Sequence, residues 1–256
     1  MARARVWYLG LAALLGAVML LCGCGTRPIS NSGYAAQRNG GENPFYRGEL
    51  TEFDVLGIDF GNPTTDQDIA QQLANHRKVV LRKGAPIMII QSGAQIPDDA
   101  MVRALERDFA VIPFSGVPVA RRVAGASAAV PAVDTQAADY ARALRLVAAK
   151  AGAEAVFCYW GVLESAKDRE PTKAITWVPL VGSVIPDEAQ HMRIRLEVAV
   201  IDVRTGSWSM FAPEAHTDST MSASRNREAS DQGQVMMLKE RAYQSAAAKL
   251  LAKYVE

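Results

Sequence analysis

The sequence predicts an α/β fold of the α+β kind, a mixed β-sheet flanked by helices, with elements in the order β-α-β-α-β-β-β-α. Three observations carry this. An apolar run, an amphipathic stretch and a second apolar run follow one another between Ile87 and Phe114. Residues 193–203 alternate polar and apolar with period two, and residues 231–254 carry apolar side chains at helical spacing.

The first strand is Ile87-Met88-Ile89-Ile90, bounded by Pro86 and Gly93 and apolar enough to be buried on both faces. Pro97-Asp98-Asp99 then offers a helix start with carboxylates at the positive end of the helix dipole, and Met101, Leu105 and Phe109 share one face. Ala110–Phe114 returns as a strand closed by Ser115-Gly116, and the small residues of 117–133 read as a loop. From Thr135 to Ala151, Tyr140, Leu144, Val147 and Ala151 mark an amphipathic helix stopped by Gly152. Glu154 to Leu163 reads as a central strand. Its Cys158 is predicted to be a small buried hydrophobe.

In the second half, Arg193, Arg195 and Glu197 fall on one face of a strand and Ile194, Leu196, Val198 and Val200 on the other, as in a half-exposed antiparallel strand. Arg204-Thr205-Gly206-Ser207 turns the chain and Trp208–Ala212 pairs back. Residues 213–230 are polar and read as loop. The last helix places Val235, Leu238, Ala242 and Ala246 on one stripe. Before the sheet, Thr65-Asp66-Gln67-Asp68 has the form of a helix cap, with Ile69 and Leu73 on a common face.

The amino terminus has the layout of a secretory signal. Arg3 and Arg5 precede an uncharged run from Val6 to Leu21, short of the roughly 20 apolar residues that a spanning helix needs. Leu21-Cys22-Gly23-Cys24 resembles the lipobox of bacterial lipoproteins. That resemblance implies a signal peptide at residues 1–23 and diacylglycerol and acyl chains on Cys24, which would attach the protein to a membrane. A metal clasp is the competing reading, but Cys22 and Cys24 supply only two of about four ligands. Gly25 rather than Asp after the cysteine implies, within that resemblance, an outer-membrane, periplasm-facing location. Residues 24–44 are rich in Gly, Ser and Asn and are expected to form a flexible tether spanning on the order of 25 Å. Residues 45–256 then make a single periplasmic domain. Loss of the signal removes two arginines and takes the net charge from +1 to about −1, so no basic field exists for nucleic acid.

With signal, tether and element order in view, residues 85–255 resemble the periplasmic α/β module of the TolB amino-terminal domain, the curli-secretion lipoprotein CsgG and the LpoB-type lipoproteins. The resemblance implies a binding or assembly module with an envelope protein partner and transfers no functional residue. The segment Trp177 to Pro186, punctuated by Pro179, Gly182 and Pro186, departs from it. Its Trp177, Val178, Leu180, Val181, Val184 and Ile185 either cap the sheet or form an exposed patch for a partner or the membrane interface. They are the candidate partner-binding residues.

Stretches such as IQSGAQIPDDAMVRALERDFAVIPFSG also resemble lipoproteins labelled aminopeptidases, and a periplasmic hydrolase is the alternative function. The chemistry is thin. His76, His191 and His216 lack metal-site spacing and read as surface residues, neither Ser92-Gly93 nor Ser115-Gly116 completes a nucleophile elbow, and no phosphate loop or dinucleotide fingerprint occurs. Asp98 and Asp99 read as helix-capping residues. No catalytic residue, metal site or cofactor is assigned.

Overall fold

The computed structural model describes residues 25–32, 43, 46–58, 63–118, 136–169, 188–222 and 227–255. Strands are β1 (Gly25–Pro28), β2 (Pro86–Gln91), β3 (Ala110–Phe114), β4 (Ala155–Arg169), β5 (Glu188–Asp202), β6 (Trp208–Phe211) and β7 (His216–Ser222). Helices are α1 (Glu52–Leu56), α2 (Asp66–Asn75), α3 (Asp99–Glu106), α4 (Gln136–Lys150) and α5 (Arg227–Tyr254).

One sheet has the order β3-β2-β4-β5-β6, with β1 beside β4 and β7 beside β5. β2 lies parallel to both β3 and β4, while all other pairs are antiparallel. The spine is the β4–β5 ribbon, paired without a break from Ala155↔Asp202 to Arg169↔Glu188. At 15 residues per strand it is about 50 Å long, given roughly 3.3 Å per residue.

Different neighbours flank its two ends. Near Ala155 the ribbon is widened by β2 and β6, and near Arg169 by β1 and β7. At the Ala155 end both faces are covered. Ile87, Ile89, Phe157, Tyr159, Val198 and Val200 pack with Met101 and Leu105 of α3 and with Leu238, Tyr243 and Leu250 of α5. Met88, Ile90, Val156, Cys158 and Ile201 pack with Leu144 and Ala148 of α4 and with Val55 of α1. Both sides of β2 are therefore apolar, as its unbroken run of hydrophobic residues requires.

At the Arg169 end, α5 covers only the face bearing Leu163, Met192 and Ile194. The opposite face carries Glu164, His191, Arg193 and Arg195, the polar half of the alternation read from the sequence. Glu164 accepts from Arg193 Nε at 2.5 Å and from Arg195 at 2.6 Å. The hydrogen bond from Arg193, reinforced by both positive charges, holds its carboxyl below the usual range.

Several expectations change. Residues 25–32, expected to be flexible tether, form β1 and a 3₁₀ turn; Ile29 is 1 % exposed and Ser30 and Ser32 are buried. Residues 33–42 and 44 lie outside the described residues. The polar stretch 213–230 contains β7 and the start of α5. α2 forms with its capping box at Thr65 and Asp68, but Ile69 and Leu73 are 51 % and 74 % exposed rather than packed.

Ile29→Ala separates a packed segment from a tether. We expect a loss of about 2–5 kcal/mol in urea unfolding, typical of a buried Ile cut to Ala, whereas a tether residue would give a change within about 0.5 kcal/mol.

Candidate functional site

Two places gather polar chemistry. The first is the carboxyl end of the parallel strands. The β2–α3–β3 connection runs on one face of the sheet and β3–α4–β4 returns over the other, because α3 and α4 belong to opposite cores. β2 and β4 therefore part company at their carboxyl ends, the switch point where open α/β sheets form ligand crevices.

The chain beyond β2 fills this crevice with hydrogen bonds. Gln91 Oε1 accepts from Tyr159 Oη at 2.6 Å and from the Asp98 N–H at 2.7 Å. Gln91 Nε2 donates to Ser30 Oγ at 3.1 Å, and Ser30 Oγ donates to the Ser92 carbonyl at 2.5 Å. Ser92 Oγ and Trp160 Nε1 both donate to the Leu50 carbonyl, at 3.0 and 2.6 Å. Gly93 turns the chain at φ +78°. Gly116 closes against it so tightly that a Cβ would lie 1.9 Å from the Gln91 carbonyl oxygen. The two Ser-Gly pairs are thus the turns read from the sequence, here locked together by Gly93 N–H to Gly116 O at 2.9 Å.

Asp98 corrects its expected role. It occupies the cap position of α3, yet its side chain makes no cap hydrogen bond. Oδ2 instead accepts from Lys239 Nζ at 2.9 Å and from Tyr243 Oη at 2.5 Å, both on α5. The rings of Tyr159 and Tyr243 meet edge to face at 5.7 Å. Burial first, with the nearby Asp98 charge, pushes both phenols well above their ordinary value, so each remains a hydrogen-bond donor. A cavity of about 280 Å³ opens beside this cluster, lined in part by Ile29, Ser32, Gln95, Ile96, Asp98 and Lys239.

The loop before α1 packs on the same crevice. Glu49 lies against Gly93, and its buried Oε1 has no hydrogen-bond partner among the described residues. Burial pushes this carboxyl up from 4.5 to about 7. Because its folded value lies above its unfolded one, the folded state holds the proton more tightly, and stability falls as pH rises from about 4.5 to about 7. We expect Glu49→Gln to flatten that part of a stability–pH curve measured by urea unfolding.

The second place is the Arg169 end of the ribbon. The register Gly25↔Ser165 places Gly25, the residue that follows Cys24 in the sequence, four residues short of the β4 end at Arg169. At roughly 3.3 Å per residue that is about 13 Å. Arg169 and Glu188, the described residues that flank 170–187, pair with each other at the end of the ribbon where β1 lies. Cys24, Trp177, Val178, Leu180, Val181, Val184 and Ile185 themselves lie outside the described residues.

Other predicted residues find ordinary places. Cys158 is buried and its thiol pushed up by burial, which suits packing rather than nucleophilic chemistry. His76 and His191 are exposed. His216 is not the solvated histidine expected: its Nε2 is buried and has no hydrogen-bond partner among the described residues. Among the described residues no three His, Cys, Asp or Glu side chains gather as metal ligands would. Sequence reasoning missed Lys239 and Tyr243, which lie on the stripe that faces the core but more than 140 residues from Asp98.

The family model for YafT bacterial lipoproteins matches residues 51–253. No curated protein matches the chain. Among solved structures the chain is similar to the hypothetical protein CT253 from Chlamydia trachomatis, with 14% identity and a TM-score of 0.29, over 67% of this chain and 97% of that one.

Proposed function

The chain belongs to the YafT bacterial lipoprotein family, and from that premise we propose that it is acylated on Cys24, held at the outer membrane facing the periplasm, and acts there as a non-catalytic binding or assembly module. Its envelope protein partner meets the Arg169 end of the β4–β5 ribbon, through Trp177, Val178, Leu180, Val181, Val184 and Ile185.

The observation that carries this reading is the β1–β4 register. Gly25, bonded directly to Cys24, already pairs with Ser165, so an acyl anchor on Cys24 would be one residue from the sheet. Several acyl chains hold a protein on a membrane almost permanently, each buried methylene contributing about 0.8 kcal/mol. The ribbon end from which 170–187 springs is therefore kept near the bilayer, where a partner embedded in or lying on the same membrane is reached without a long search. Large apolar side chains at such an end have water as their alternative, at about 25 cal/mol per Å². The likeness in element order to the TolB, CsgG and LpoB-type modules supports an assembly role. Among the described residues no helix is long and apolar enough to cross a membrane.

The test is in-cell photo-crosslinking from position 181, with position 208 as the control. Trp208 pairs with Ile201 at the opposite end of β5 and is 44 % exposed. A discrete protein adduct from 181, absent from 208 and lost in a Trp177→Ser/Val178→Ser variant, is the expected result. Adducts to lipid alone, or equal capture from both positions, would overturn the partner assignment.

A further inference from the structure

We propose that the switch-point cavity binds a neutral, hydroxyl-rich ligand, one sugar unit of a glycan, through Asp98 and Lys239. The inference is independent of the partner surface at the ribbon end.

Lys239 is 7 % exposed, and among the described residues only one of its three N–H donors has a protein acceptor, Asp98 Oδ2. Oδ2 also takes the Tyr243 hydroxyl, whereas among the described residues Asp98 Oδ1 receives no protein donor. Two donors and one acceptor are thus left over on a single ion pair, and both residues line the cavity. A group that satisfies them must accept from an ammonium and donate to a carboxylate within a few ångströms. A hydroxyl does both at once, and neighbouring hydroxyls on a ring do so in pairs.

Charge selects against the alternatives. Asp98 and Lys239 cancel, so an added anion would sit beside a half-buried carboxylate and an added cation beside a buried ammonium, each paying desolvation without a free counter-charge. A neutral polar ligand meets neither penalty. The rest of the lining agrees: Ser30 and Gln91 are hydrogen-bonded to each other, to the backbone and to Tyr159, which fixes the floor. Ile96, 72 % exposed at the rim, offers the apolar surface that the C–H face of a pyranose ring covers. At about 280 Å³ the cavity is at the small end of ligand pockets and suits a single ring.

The experiment uses the full mature chain, with isoleucine methyl groups labelled and Ile29 and Ile96 followed by NMR. Probes are tetra-N-acetylchitotetraose and maltotetraose as neutral glycans, alanyl-alanine as a zwitterion, and inorganic phosphate. We expect at least one glycan to shift the Ile96 and Ile29 signals saturably, with affinity falling at least tenfold in Lys239→Met. Because a change at buried Lys239 can disturb folding, Ile96→Asp, at an exposed position, is the second variant and is expected to weaken binding by a similar factor in a folded protein. Shifts with alanyl-alanine or phosphate and with neither glycan would overturn the ligand class. No shift with any probe, or shifts unchanged in Ile96→Asp, would overturn the site.

Discussion

Cys24→Ala is expected to abolish palmitate incorporation and leave the protein as an uncleaved precursor. A cysteine sulfur is the group that carries diacylglycerol in a lipobox, and of the two cysteines Cys22 would put bulky Met19 to Leu21 before the cut, whereas Cys24 has Gly23 there. Removing the acyl chains removes tens of methylenes from the bilayer at about 0.8 kcal/mol each, the largest single free-energy change considered for this protein. Metabolic labelling with radioactive palmitate, followed by precipitation of the protein, reads the outcome. Labelling of Cys24→Ala at the level of the unmodified protein would show that the lipid is elsewhere.

The second large effect is expected at Asp98. Its carboxylate accepts the hydrogen bonds of both Lys239 and Tyr243. Asp98→Ala strands a buried ammonium and a buried phenol together. Breaking a buried pair costs about 3–5 kcal/mol; because the Asp98 side chain is 32 % exposed, we expect about 3 kcal/mol, the low end. The double variant Asp98→Ala/Lys239→Met removes the stranded charge and is expected to recover most of that loss. Urea unfolding of wild type, both single variants and the double variant completes the cycle. A single-variant loss below about 1 kcal/mol would mean that the three side chains are solvated rather than bound to one another.

The sheet centre was legible because its chemistry is local. Four consecutive apolar residues at 87–90 can be buried only in a strand covered on both faces, and the alternation from Arg193 to Val200 states one wet and one dry face. β7 was not legible, since His216-Thr217-Asp218-Ser219 offers no apolar face; it forms because β5 extends far enough to pair with it from Ile194↔His216 to Glu188↔Ser222. β1 hid in the same way within a glycine- and asparagine-rich stretch, where only Ile29 hinted at burial. The polar cluster is a tertiary product. Asp98 reads locally as a cap, and nothing in the residues around it says that α5 will present a lysine and a tyrosine to the same oxygen.

We propose that the globule hangs from Cys24 by its β1–β4 edge, with the Arg169 end of the ribbon towards the membrane. Energy transfer from single dye labels to acceptor-labelled lipid headgroups, with the acylated protein in vesicles, tests it most directly. Ser219 pairs with His191 and Trp208 with Ile201, so labels at 219 and 208 sit about 33 Å apart along β5, at roughly 3.3 Å per residue. Clearly stronger transfer from 219 than from 208 is expected. Equal transfer from both, as for a domain tumbling on a loose tether, would contradict it.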